Sequence, residues 1–481
     1  MAEDNSYRKI LKVTGIFGGM QLVQILLSLV RGKFVALLLG PGGMGVNALF
    51  NSSAQTISQF SSLGLNLAIA RESAAAKEEH EALRDVLAVT RRLVTATALV
   101  GCLFCVLFSG WLSRLTFGDD SWSWEFMLLG AMVFFTVSGN GAMSVLQGLH
   151  EVKRLSKATV IGGTVGLLVG VPLYYLIGTK GIVPAMTASA LSMWAFYQFS
   201  VHKAVSGRRK PFRWGEHGSR ARRLVGLGLV LMSTEIGVSL CNYLINLYVR
   251  YAGDLGDVGL FQGASSLTNQ YAGVVFTAML MDYFPRLSQV AKDNERMREV
   301  INRQMEIVAY IAAPLLCLLI VTAPVVIRLL LSAQFLPTEG LMRWMGLGVL
   351  IKALMYPLGY ITFVKDNRKV YFWMEAVGAN VLTLGLSVGG YSLFGLDGLG
   401  YALVADCAVC FIVYNIVNHR LYGYRMNTAA TRCAAGAMAG GCAVFLASLI
   451  PSPIWSYVAM SALTVGVGIW AVAGLRKRLK E

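Results

Sequence analysis

The sequence predicts an all-α polytopic membrane protein of about fourteen transmembrane helices. Three observations carry that expectation. The chain has 481 residues, of which 56% are hydrophobic and only 14% charged, whereas a soluble domain carries roughly 25% charged residues. Apolar runs of about 20 residues or more, long enough to cross a bilayer core, recur along the whole length. The runs are continuously apolar rather than alternating, which excludes a β-barrel.

Taken in order, the expected spans are 13–39, 44–69, 86–110, 124–148, 157–178, 181–202, 224–250, 258–284, 304–327, 341–364, 370–393, 396–418, 429–449 and 454–474. The polar, mixed-charge start and the long first apolar run do not fit a cleavable signal peptide. The net charge of +16 would suit a nucleic-acid binder, but 34 of the 42 Lys and Arg fall in loops and span ends on one side of the spans. By the positive-inside rule that side is cytoplasmic, which puts both termini inside. Outer loops are short and no soluble domain interrupts the spans, so the chain offers no obvious seat for a catalytic site and is not expected to be an enzyme. The eight cysteines all lie in apolar segments and read as small core residues rather than disulfides or metal ligands. No metal and no cofactor are expected.

Spaced landmarks repeat. Gly40, Gly43, Ser52 and Ser53 are matched 213 residues later by Gly253, Gly256, Ser265 and Ser266. Arg71, Ala76-Lys77 and Lys153-Arg154 are matched 215 residues later by Arg286, Ala291-Lys292 and Arg368-Lys369. The expected organisation is therefore two parallel, pseudo-symmetric six-helix lobes, 1–202 and 224–420, joined by a basic cytoplasmic linker, 203–223, and followed by two further helices and a basic tail, 421–481. Parallel repeats around a central site are a transporter layout.

Polar stripes locate the candidate site. Gln21, Gln24, Ser28 and Arg31 fall on one face of the first span. A cation inside a spanning helix is costly, so Arg31 should face protein or water rather than lipid. Lys33 points roughly opposite and suits a snorkelling role. In the second span Asn51, Gln55, Ser58, Ser62 and Asn66 share a face. The seventh carries Glu235, Ser239, Asn242, Asn246 and Arg250, and the eighth carries Ser265, Ser266 and Asn269. The simplest arrangement puts spans 1, 2, 7 and 8 around one cavity, although such stripes also serve helix-to-helix hydrogen bonding. Arg31, Arg250 and Lys352 are biased toward the outer side. A pathway lined by cations suits an anionic cargo such as a phosphate or pyrophosphate. Gln24, Ser28, Asn51, Asn242, Asn246 and Asn269 would add polar contacts. Glu235 and Glu375 are deep acids suited either to neutralising a nearby cation or to binding a coupling ion.

Several motifs resemble a known family. They are Gly32-Lys33 with Leu39-Gly40-Pro41-x2-Met44-Gly45, Val258-Gly259-Leu260-Phe261-Gln262-Gly263-x-Ser265-Ser266, Leu329-Leu330-Leu331-Ser332-x2-Phe335, and Lys352-x3-Tyr356-x2-Gly359-Tyr360-x4-Lys365 continuing to Glu375. Over about residues 10 to 420 the chain resembles the lipid-linked oligosaccharide flippases, the O-antigen and lipid III translocases of Wzx type in the multidrug/oligosaccharidyl-lipid/polysaccharide exporter superfamily. Lys33, Arg250, Lys352 and Glu375 match family positions. Arg31 does not, since relatives carry a basic residue nearer Gln24. The resemblance implies two lobes in a V with alternating access. It also implies an undecaprenyl-pyrophosphate-linked oligosaccharide as cargo, moved from the cytoplasmic to the periplasmic leaflet. The partners it implies are that cargo, membrane lipids and other glycan-assembly membrane proteins around a monomeric transporter, with no nucleic acid. Spans 13 and 14 go beyond twelve-span relatives and would suit a groove for the polyprenyl tail.

The rivals differ in what the cavity should hold. A multidrug exporter of the same superfamily wants deep acids and aromatics, the reverse of spans 1, 7 and 10. A flippase of the peptidoglycan precursor, lipid II, shares the pyrophosphate and stays open as an alternative. An enzyme or scaffold of a glycan-assembly complex would need catalytic acids and larger loops.

Overall fold

A computed structural model describes residues 2–205 and 214–480, with side chains at most of these positions. The middle of the basic linker, 206–213, and the side chain of Asp282 lie outside the described residues. The chain divides into two compact units, Met1–Arg250 and Tyr251–Glu481.

The first unit holds α1 (Ala2–Ser62), α2 (Leu65–Ala75), α3 (His80–Leu107), the short α4 (Ser109–Phe117), α5 (Ser123–Gly148), α6 (Val152–Ile177), α7 (Ile182–Ala204), α8 (Trp214–Leu231) and nearly all of α9 (Ser233–Ala252). The second holds α10 (Leu255–Gln289), α11 (Asn294–Leu330), α12 (Glu339–Val364) and α13 (Arg368–Tyr371). A π-helical turn over Phe372–Gly378 runs on into α14 (Ala379–Tyr422), and α15 (Thr428–Ala447) and α16 (Pro453–Lys480) complete the unit. In hydrocarbon a helix satisfies its own backbone polar groups, so apolar runs of this length fold as helices.

Among the described residues, nine segments are long and apolar enough to cross a membrane. Three of them, Gly18–Ser62, Val152–Ala204 and Arg368–Tyr422, each hold two of the expected spans. The expected seventh and eighth spans are helical, falling on α8–α9 and α10, but stand outside those nine. Each long segment turns on a left-handed glycine: Gly40 (φ 66), Gly178 (φ 64) and Gly395 (φ 61). Only glycine enters that region without steric cost. The expected second span, 44–69, is interrupted at Leu63 and Gly64 (φ 49 and 62), so its last residues belong to α2. The array of apolar crossings identifies a multi-pass membrane protein.

The internal repeat is written into the backbone. After α5, the amides of Leu149, His150 and Glu151 donate to the carbonyls of Val145, Gln147 and Leu146 at 2.9, 3.0 and 3.0 Å. After α12, Lys365, Asp366 and Asn367 donate to Ile361, Phe363 and Thr362 at 3.0, 3.1 and 3.2 Å, the same pattern 216 residues on. Both turns carry a non-glycine residue at positive φ, His150 (55) and Asp366 (52). Such residues are uncommon, and finding them at equivalent places marks one turn used twice.

Within the first unit α9 is bonded to its neighbours. The Thr56 hydroxyl donates to the Ser239 carbonyl at 3.2 Å. The Thr116 and Tyr243 hydroxyls meet at 2.9 Å. Arg250 Nη2 donates to the Phe117 carbonyl at 3.1 Å, where a cation also complements the C-terminal end of α4. Beyond the spans, the Ser121 hydroxyl and amide hold the Asp119 carboxyl below the usual carboxylate range, with Arg250 adding to the effect. α2 and α8 are joined at one end by the ion pair Arg223–Glu72 at 2.8 Å.

Two glycines separate conformational from packing cost. Gly178 has open space where a side chain would go, whereas a Cβ on Gly64 would run into the Gly228 carbonyl. Gly178→Ala should therefore lower stability by about 1–3 kcal/mol, the cost of holding a non-glycine residue at φ 64 and ψ −138. Gly64→Ala should cost clearly more. Thermal unfolding of the two purified variants checks the order, and equal shifts would contradict the packing account.

Candidate functional site

Arg31 sits on α1 with its guanidinium turned into the first unit, where Nη2 donates to Ser189 Oγ on α7 at 2.7 Å. Ser189 can stand this close to α6 because Gly166 lies opposite it; a Cβ there would meet the serine hydroxyl and Cα. Around Arg31 is a cavity of about 330 Å³ lined by Gln24, Asn47, Asn51, Thr136, Asn140 and Tyr174, among others. Among the described residues no Asp or Glu lines it. Tyr174, on α6, is within electrostatic reach of the guanidinium. A second cavity of about 280 Å³ continues from it, sharing Asn51, Met132, Thr136 and Asn140. The walls of the Arg31 cavity thus come from α1, α5, α6 and α7. The sequence arrangement drew on spans 1, 2, 7 and 8. The polar face of α1 packs against its own repeat because Gly139, Gly162 and Gly166 let α5, α6 and α7 approach closely.

A second polar cluster lies in the second unit. Lys352 on α12 is within electrostatic reach of both Glu375 and Asp406. Tyr414 Oη donates to Glu375 Oε1 at 2.5 Å, and Thr383 Oγ1 donates to Asp406 Oδ2 at 3.0 Å. Glu375 belongs to the π-helical turn, a geometry that inserts an extra residue and frequently appears at functional sites. Its loosened carbonyls are recovered by Asn380, whose Nδ2 donates to Glu375 O and Ala376 O, both at 3.0 Å. A carboxylate on a tyrosine and an ammonium near two carboxylates form a site that holds charge without exposing it to lipid.

The expected residues therefore separate into groups. Arg31, Gln24 and Asn51 share one cavity, and Lys352 and Glu375 share one cluster. Arg250 is bound to the end of α4, with its Nε buried and without a hydrogen bond among the described residues. Asn246 is buried, 5% exposed, with an unpaired Oδ1. Ser28, Glu235, Asn242 and Asn269 are exposed, and Lys33 is half-buried; none of these lines the Arg31 cavity. Ser189, Asn140 and Tyr174 were not singled out from sequence. Asn140 belongs to a stripe of Thr136, Asn140, Ser144 and Gln147 at helical spacing that periodicity could have shown, and the small residues facing α7 hinted at its close approach to α6. A larger cavity of about 460 Å³ between α3, α5 and α7 is mainly apolar, with Phe134, Val145 and Trp194 in its walls, and holds none of the expected residues.

Comparison with known proteins places this geometry. Residues 34–339 match the family described as "Polysaccharide biosynthesis protein". The chain is 22% identical over 362 residues to a protein named Lipid III flippase from Escherichia coli (strain K12), covering 74% of this chain and 85% of that protein. The same figures hold for the Lipid III flippase of Shigella flexneri. The structure entitled "Lipid II flippase MurJ, inward closed conformation" superposes with a TM-score of 0.73 at 11% identity, covering 98% of this chain and 100% of that one. An inward-facing multidrug resistance MATE family transporter of the MOP superfamily gives 0.69 at 16% identity, over 86% and 95% of the two chains. At such identities the structural likenesses establish a shared fold. With well over half its length matched by the family profile, the chain belongs to the polysaccharide biosynthesis protein family.

Proposed function

We propose that this protein is a flippase that moves an undecaprenyl-pyrophosphate-linked oligosaccharide, an O-antigen or related surface-glycan unit, from the cytoplasmic to the periplasmic leaflet of the bacterial inner membrane. The observation that carries this reading is the Arg31 cavity: one guanidinium, no acid, and carboxamides around it, inside a membrane-spanning unit. A guanidinium pairs with phosphate oxygens in a fork. The Ser189 hydroxyl accepts from Arg31 and keeps a proton to donate to the same anion. Neutralising a pyrophosphate in a polar cavity removes much of the cost of taking a bare anion across hydrocarbon. The polyprenyl tail stays in lipid, so no bond is made or broken and no cofactor is needed. The names of the lipid III relatives support the same cargo class.

The lipid II reading shares the pyrophosphate and so the same anchor. A cavity holding an arginine and no carboxylate disfavours a cationic drug as cargo. In the second unit we assign Lys352, within electrostatic reach of Glu375 and Asp406, as a further cation for the anionic cargo. Both termini are assigned to the cytoplasm on the loop charges, and the working division is the two six-span repeats, 1–202 and 224–420, with the linker 203–223 and the appended pair 421–481.

Arg31→Ala should remove surface glycan in cells that depend on this flippase and weaken binding of the pyrophosphate lipid about 10- to 100-fold. This follows from roughly 1.5–3 kcal/mol for a hydrogen bond to a charged group. Unchanged glycan at normal protein levels would sink the assignment. Lys352→Met, which removes the cation within electrostatic reach of both acids, should destabilise the second unit by about 1–3 kcal/mol. Adding Glu375→Gln should restore part of that loss in a thermal unfolding series; a double variant no better than the single would show that the three groups are not coupled.

A further inference from the structure

The cavity that continues from the Arg31 site has a different chemistry from it. No Lys, Arg, Asp or Glu lines it among the described residues. One wall is a ladder of carboxamides, Asn51, Gln55, Gln59 and Asn66, and the facing wall carries Thr136 and Asn140. Along the helix the ladder from Asn51 to Gln59 alone covers about 12 Å at the 1.5 Å rise per residue. Among the described residues no protein hydrogen bond engages the side-chain amide of any of these Asn and Gln residues, whereas Ser62 and Thr56 nearby are tied to backbone carbonyls at 3.0 and 3.2 Å. Asn51 and Gln55 are exposed and Gln59, Asn66 and Asn140 half-buried, so their amides stand open to the cavity. Each carboxamide offers two donors and an acceptor, the complement of hydroxyls and acetamido groups, which also donate and accept. A charged sugar placed here would meet no counter-ion in the lining among the described residues, and Arg31 lines the adjoining cavity.

We infer that this carboxamide-lined cavity is the glycan subsite of the cargo and selects uncharged sugars, with the pyrophosphate seated beside it on Arg31. The inference rests on the flippase reading and adds to it the class of sugar. Asn51, Thr136 and Asn140, common to both cavities, mark the junction where the first sugar meets the pyrophosphate. The ladder reads hydroxyl positions from there outward.

The test measures binding of three defined lipids to purified full-length protein in nanodiscs: a polyprenyl pyrophosphate without sugar, the same lipid bearing a neutral oligosaccharide, and the same lipid bearing a uronate-containing oligosaccharide. The native protein should prefer the neutral glycolipid to both others. In Gln55→Met/Gln59→Met the preference for the neutral glycolipid over the sugarless lipid should fall about tenfold, as expected for two lost hydrogen bonds. Gln55→Lys should shift preference toward the uronate. If the double variant folds poorly, Gln59→Met alone carries the same test at about threefold. An unchanged neutral-to-sugarless ratio, or a native preference for the uronate lipid, overturns the inference while leaving the flippase reading intact. Failure of the native protein to bind even the sugarless pyrophosphate lipid would instead overturn the flippase reading itself.

Discussion

A guanidinium within a membrane-spanning helix imposes the constraint around which the first unit is built. In hydrocarbon it would be far from any compensating group, so it must be given polar partners by the protein. Arg31 receives Ser189 at 2.7 Å and a cavity of amides and hydroxyls. Ser189 can serve only because α6 presents Gly166 opposite it. Removing a side chain from one helix thus creates the room that positions a hydroxyl on the next. The charge, the hydroxyl and the glycine come from three different spans and act as one unit.

The second unit answers the same constraint differently. Its ammonium, Lys352, has acids for company rather than hydroxyls, and those acids are themselves engaged by Tyr414 and Thr383. The π-helical turn that carries Glu375 keeps its backbone satisfied through Asn380. The two units share a turn down to its hydrogen-bond pattern but differ in how they hold a cation: Arg31 is bonded to a hydroxyl in a cavity without an acid in its lining among the described residues, whereas Lys352 lies within electrostatic reach of two acids. An open cation beside neutral carboxamides and a cation near two acids are different electrostatic settings, and an incoming anion suits the first.

Much of the fold was legible because the bilayer is a severe solvent. It demands about 20 apolar residues per crossing, which makes spans countable. Left-handed glycines at Gly40, Gly178 and Gly395 then fold long helical segments back on themselves. The repeat was visible from loop landmarks, and the paired turns at His150 and Asp366 give it a backbone form. The candidate site was less legible. The stripe through Gln24 and Arg31 was apparent from 3.6-residue periodicity, as was the ladder from Asn51 to Asn66. The same periodicity grouped Glu235, Asn242, Asn246 and Arg250, which the structure disperses: Arg250 goes to the Phe117 carbonyl, Asn246 is buried, and Glu235 and Asn242 are exposed. A stripe states that residues share a face of a helix; it does not state what that face meets.

The competition between Arg31 and Lys33 shows where the boundary falls. Motif and helical face pointed to different residues, and the structure puts Arg31 in the cavity and leaves Lys33 out of its lining. By itself the sequence determined the membrane-spanning class and the polar face of the first helix, because these depend on composition and spacing along one chain. The tertiary structure alone decided that Arg31 meets Ser189, that Gly166 makes the meeting possible, and that Lys352, Glu375 and Asp406 form one charged group. Those contacts join residues up to 158 positions apart, and they follow from which helices approach closely enough for side chains to touch.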